Sequence, residues 1–150
     1  MTKPKELSPL WVCPECGQTF AGKNMWHSCG EWTVDGFLAN KGLKARELFD
    51  AFVALVRRAG TFEFSPAKTR VAFMVRVRFA GVIRLSDRGM TCGFWLKRQI
   101  ESPRFARIDH LNRDDWIYEF RVTSPEQLDD EVLGWIREAY DVGLQKHLQR

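Results

Sequence analysis

Apolar positions along the chain follow two periods, and the change from one to the other divides it into elements. Leu48, Phe52, Leu55, Val56 and Ala59 recur at helical spacing, so one helical face is predicted there, with Gly60 at the position that favours a C-terminal glycine. Ahead of it, Thr33 is placed to cap a short helix through Leu38, which Asn40-Lys41-Gly42 breaks. Thr61–Phe64 reads as a short strand before Ser65-Pro66. From Thr69 the period becomes two: Val71, Phe73, Val75, Val77 and Phe79 alternate with Arg70, Ala72, Met74, Arg76 and Arg78. This stretch is either one long strand or a hairpin turning near Val75–Val77. Val82–Leu85 and Met90–Leu96 read as strands around the turn Ser86-Asp87-Arg88-Gly89. Trp116, Tyr118, Phe120 and Val122 alternate on a last strand. A final helix is predicted to start at Ser124, with Pro125 at its first position and Gln127 completing a capping box. Its apolar face is Leu128, Val132, Trp135, Ile136, Ala139 and Leu144.

No long helix separates the strands between Thr69 and Leu96, so that part of the sheet is expected to be antiparallel. The order predicts an α+β domain over residues 33–150, preceded by a small unit over residues 1–32.

The preceding unit takes its character from cysteine. Three of the four cysteines lie within seventeen residues, in the pattern Cys13-x2-Cys16-x10-His27-x-Cys29. Two residues between thiolates let a tight turn aim both at one point, and Gly17 suits the positive φ such turns need. Ten residues then bring His27 and Cys29 back to complete a tetrahedron. Three thiolates and one imidazole leave no open position for a substrate water, so the expected ion is a structural zinc in a ribbon- or knuckle-like unit. Glu15 and Glu31 stand as alternative fourth ligands, because one residue between His27 and Cys29 is a tight spacing. Cys92, inside a strand-like run, is expected to be a free buried thiol.

With 45% hydrophobic and 13% aromatic residues, the 150-residue chain carries enough apolar surface for a sizeable core without disulfides. It has no run of about eighteen apolar residues, and its start lacks the apolar stretch of a secretory signal. A cytoplasmic location without membrane association is therefore expected. The net charge of +4 is uneven. Residues 61–110 carry ten Lys or Arg against four Asp or Glu, and residues 111–150 carry five against nine. A basic centre predicts an anionic partner.

Trp11–Phe20, Trp26–Gly30, Lys68–Phe73 and Phe94–Arg98, with Leu128–Glu131 and Glu138–Tyr140, resemble a bacterial family known as domain of unknown function 5655. The resemblance implies an α+β fold with an N-terminal zinc motif and assigns no activity. More distantly, the domain is similar to frataxin-like iron chaperones. That likeness would give Glu126, Asp129, Asp130 and Glu131 a role as hard oxygen ligands for iron.

The chain has no phosphate-binding P-loop, no Gly-rich dinucleotide turn, no G-x-S-x-G and no H-E-x-x-H, so a binding module is expected over an enzyme. The candidate ligand-binding residues are Lys68, Arg70, Arg76, Arg78, Trp95, Lys97 and Arg98. Arginines on a sheet face beside an aromatic contact phosphates and stack on bases, so nucleic acid is the leading expected partner. A small anionic ligand and a solvated face with no ligand are the competing readings.

Overall fold

The computed structural model describes residues 9–15, 17–20 and 32–149. A two-stranded antiparallel hairpin, β1 (Trp11–Val12) and β2 (Thr19–Phe20), precedes two helices, α1 (Val34–Leu38) and α2 (Leu43–Ala59). Six strands follow: β3 (Glu63–Pro66), β4 (Val71–Met74), β5 (Arg78–Ser86), β6 (Gly89–Leu96), β7 (Phe105–Asn112) and β8 (Asp115–Val122). Helix α3 (Asp130–Gly143) and a closing 3-10 turn (Lys146–Gln149) complete the described chain. The six strands form one sheet in the order β3-β4-β5-β6-β8-β7, every neighbour antiparallel. The α+β expectation holds. No helix among the described residues is long and apolar enough to cross a membrane.

Alternation decides which face of the sheet is covered. Val71, Phe73, Val82, Cys92, Phe94, Tyr118 and Phe120 are all buried and belong to one core with α2 and α3. Helix α2 contributes Leu48, Phe49, Phe52, Leu55 and Val56, and α3 contributes Val132, Leu133, Ile136 and Ala139. Aromatic rings bind the layers: Phe52 lies 5.5 Å from Phe73, and Trp135 stacks on Phe94 at 5.5 Å. Such pairs contribute about 0.5–1.5 kcal/mol each beyond the area they bury. The fully buried Tyr118 hydroxyl donates to the Arg98 carbonyl (2.9 Å) and accepts from the Ile100 amide (2.7 Å), fixing the chain as it leaves β6. Cys92 is a fully buried free thiol, as expected, and burial pushes its ionisation well above the ordinary value.

Several sequence expectations are refined. The alternating run from Thr69 is a hairpin, not one strand: the Val75 amide donates to the Val77 carbonyl across the turn. The capping box at Ser124 forms, but it opens a 3-10 turn (Pro125–Gln127), and α3 begins afterwards under its own cap, Asp129, whose carboxylate accepts from the Val132 amide. His110 sits on β7, an edge strand the alternation did not reveal, and its ring lies flat on Trp116 at 3.6 Å. Thr33 caps α1, Gly60 ends α2, and Gly17 has φ +76°, all as the sequence predicts.

Helix α2 has a cap from far along the chain. Gly42 stands at its N-cap and supplies no side chain, while Asp87, in the β5–β6 turn, accepts from the Ala45 amide at 2.9 Å. A Cβ at position 42 would collide with that carboxylate. Asp87→Ala is expected to cost about 1 kcal/mol, lowering the melting temperature by about 2–4 °C. Gly42→Ala is expected to destabilise too, and thermal melts of both variants check the pair.

Candidate anion-binding site

The sheet face away from α2 and α3 carries Arg70, Arg78 and Trp95 of the candidate residues. The β4–β5 hairpin turns two arginines to the same place: Arg70 just before β4 and Arg78 at the start of β5. Both line a shallow trough of about 180 Å³, and Trp95, near the end of β6, forms part of its wall. Gly81 and Gly93 face each other across β5 and β6 and also line it, with Ile83 and Ile117 alongside. A cavity of about 360 Å³ lies beside it; Arg78 and Trp95 line both spaces. Lys97, Asp115 and Gln145 belong to the cavity's lining, with Phe20 from the N-terminal hairpin.

Charge within the predicted set is distributed unequally. Lys97 donates to the Asp115 carboxylate. Arg98 makes a two-pronged contact with Glu138, both bonds 2.9 Å, on an exposed patch towards α3. Arg76 donates to the Gln145 side chain at 3.2 Å, and its carbonyl accepts from Thr19. Lys68 is exposed in the β3–β4 turn and lines neither space. Arg104 and Arg107, also basic and beyond Trp95, pair with Asp129 and Glu131 and with Asp109 and Glu119 respectively. Among the described residues, Arg70 and Arg78 meet no carboxylate.

Arg78 is the more constrained of the two. Its guanidinium lies over the Phe20 ring at 5.3 Å and reaches the Ser65 hydroxyl at 3.4 Å. Its Nε is buried with no hydrogen-bond partner among the described residues. Burial, with Arg70 adding repulsion, pulls its ionisation below the ordinary arginine value. A half-buried cation facing a second cation is the arrangement that an anion relieves.

Of the predicted zinc ligands, Cys13 is buried at the end of β1, where its carbonyl accepts from the Gly17 amide and its amide donates to the Gln18 carbonyl, both 2.9 Å. Cys16, His27 and Cys29 lie outside the described residues, as do the alternative ligand Glu31 and most of the 1–32 unit. Sequence reasoning missed Gly81 and Gly93. A glycine inside a strand pattern is itself the signal, since it marks bare backbone open to close approach.

Asp115 closes one side of the cavity. Burial pushes its carboxyl up, but hydrogen bonds from Lys97 and Asn112, with the charge of Lys97, more than reverse this and hold it below the ordinary carboxylate value. The stability this pair supplies is therefore present above the ordinary carboxylate range and is lost only as pH falls through the lowered folded value. Lys97→Met should move the Asp115 titration upward and narrow its gap from the unfolded chain, so the variant loses stability near neutral pH and loses less on acidification; carboxyl NMR and melts against pH read both effects.

No curated protein and no solved structure matches the chain. A family model, domain of unknown function DUF5655, matches residues 34–143, a span that contains the whole trough. The chain belongs to the DUF5655 family.

Proposed function

We propose that this protein is a non-enzymatic binding module for a compact anion, held between Arg70 and Arg78 on the open sheet face. The carrying observation is that these two arginines line one trough, close enough for Arg70 to act on the charge of Arg78, and neither pairs with a carboxylate among the described residues. Nucleic acid asks for more. A phosphate backbone is tracked by a stripe of available cations. Here Lys97 and Arg98 are each engaged by an acid, and Lys68 stands apart. The compact anion is the reading this charge distribution supports. An iron-carrying role draws less support, because Asp129 and Glu131 hold Arg104 and Asp129 also caps α3.

The site carries a signature that separates ligand binding from stability. Arg78→Met is expected to leave the free protein's melting temperature unchanged or higher, because it removes a half-buried charge that no carboxylate among the described residues offsets while methionine keeps an apolar contact with Phe20. The same change is expected to abolish the stabilisation that millimolar phosphate gives the native protein, an effect that grows as RT ln(1 + [L]/Kd). Arg70→Met should weaken that response, and Arg98→Ala should leave it intact. Duplex oligonucleotides supply the opposing arm. A salt slope of several units, at about 0.9 per phosphate neutralised, falling on Arg98→Ala and Lys68→Ala, would make the face a nucleic-acid interface and overturn this reading.

We further propose that Cys13, Cys16, His27 and Cys29 bind one structural zinc. Support comes from the buried Cys13 and from the tight turn after it, where Gly17 takes its positive φ. Elemental analysis is expected to find one zinc per chain, lost in Cys13→Ser and Cys29→Ser. The α+β domain should still fold in both variants, since its core lies outside that segment. A metal-free preparation with an ordered N-terminal unit would contradict this assignment.

A further inference from the structure

We infer that the ligand of this trough is an aromatic anion: a flat ring, joined to a phosphate or carboxylate, lying on the Gly81–Gly93 floor against Trp95. The inference rests on the compact-anion reading and extends it from the charged end of the ligand to its body. Three observations carry it. Gly81 and Gly93 are direct cross-strand partners, so on this face two adjacent strands present backbone where side chains would stand. The bare strip is bounded by apolar and aromatic side chains, Ile83, Ile117 and Trp95, with the two arginines also lining it. Its volume of about 180 Å³ suits a single ring, since an apolar space of about 150 Å³ takes up benzene.

The two glycines differ in what holds them. A Cβ at Gly81 would come within 2.8 Å of the Val71 carbonyl oxygen, a backbone atom that cannot give way. Gly81 is therefore required by the close approach of β4 and β5. A Cβ at Gly93 would crowd the Ile83 Cδ1 methyl at 2.9 Å, the movable end of a flexible side chain, and would stand at ordinary contact distance, 3.5 Å, from the Tyr118 carbonyl oxygen. The fold alone accepts alanine at 93, and strand propensity favours it. A glycine that the packing does not demand, placed on the floor of a trough, is accounted for by a ligand that lies flat there. A ring on that floor gains contact with two peptide planes and with the indole of Trp95, while its anionic group meets Arg70 and Arg78. Base–aromatic stacking sets the scale of the ring's contribution.

The test compares phenyl phosphate with methyl phosphate, which share the anionic group and differ in the ring. Titration calorimetry of the full chain is expected to show both binding, with phenyl phosphate at least about tenfold tighter. Gly93→Ala and Trp95→Ala are expected to erase most of that advantage, phenyl phosphate falling to within about twofold of methyl phosphate measured on the same variant, with the melting temperature of Gly93→Ala equal to or above the native one. Equal binding of the two compounds would overturn the ring site and leave the anion site standing. No binding of either would overturn both. A ring preference that survives both Gly93→Ala and Trp95→Ala would place the ring elsewhere and defeat the assignment. Should Trp95→Ala fold poorly, Gly93→Ala decides alone.

Discussion

A six-stranded sheet has two faces, and the described residues carry helix enough for one of them. Helices α2 and α3 place their apolar stripes on a single side, and the aromatic core from Phe52 to Trp135 seals that layer. What remains on the other side must be made compatible with water, and it is: by glycines, by arginines whose stems cover apolar surface, and by the short N-terminal hairpin laid against it. That hairpin is attached by specific bonds. Ser65 donates to the Gln18 side chain, Thr19 donates to the Arg76 carbonyl, and Phe20 covers the Arg78 guanidinium. The candidate site is thus a consequence of one-sided packing, not an addition to it.

The charges around the sheet are not all free to meet a ligand. Four of the ten cations in residues 61–110 are answered by acids from the C-terminal third: Lys97 by Asp115, Arg98 by Glu138, Arg104 by Asp129 and Glu131, and Arg107 by Glu119. Exposed pairs of this kind add little stability, about 0–1 kcal/mol each, but they remove cations from the set available to a ligand. Of the cations that meet no carboxylate among the described residues, Arg70 and Arg78 are the two that line one trough. Burial and mutual repulsion make Arg78 a cost to the free protein, and costs of that kind persist where function needs them.

Where local periodicity dictates an element, the sequence alone sufficed. The apolar face of α2, the Thr33 cap, the Asp87-Arg88 turn and strands β6 and β8 are all legible from spacing. Strand β7 is not, because as an edge strand carrying Arg107, Asp109 and His110 it buries little and shows no clean alternation. The hairpin at Val75–Val77 was hidden for the opposite reason: alternation continues straight through the turn. Two caps in series, Ser124 and Asp129, displaced the start of α3. In the site, Arg70, Arg78 and Trp95 were legible as a basic strand beside an aromatic. The engagement of Lys97 and Arg98 was not, since their partners lie 18 and 40 residues away and only folding brings them close.

Arg70 and Arg78 together are proposed to form the anion site. It is tested most directly by a crystal soaked in bromide, whose anomalous signal locates the ion without assumption. A bromide peak is expected in contact with both guanidiniums, absent from Arg78→Met crystals grown in the same form. A carboxylate found seated on Arg78, with no bromide between the two arginines, would contradict it.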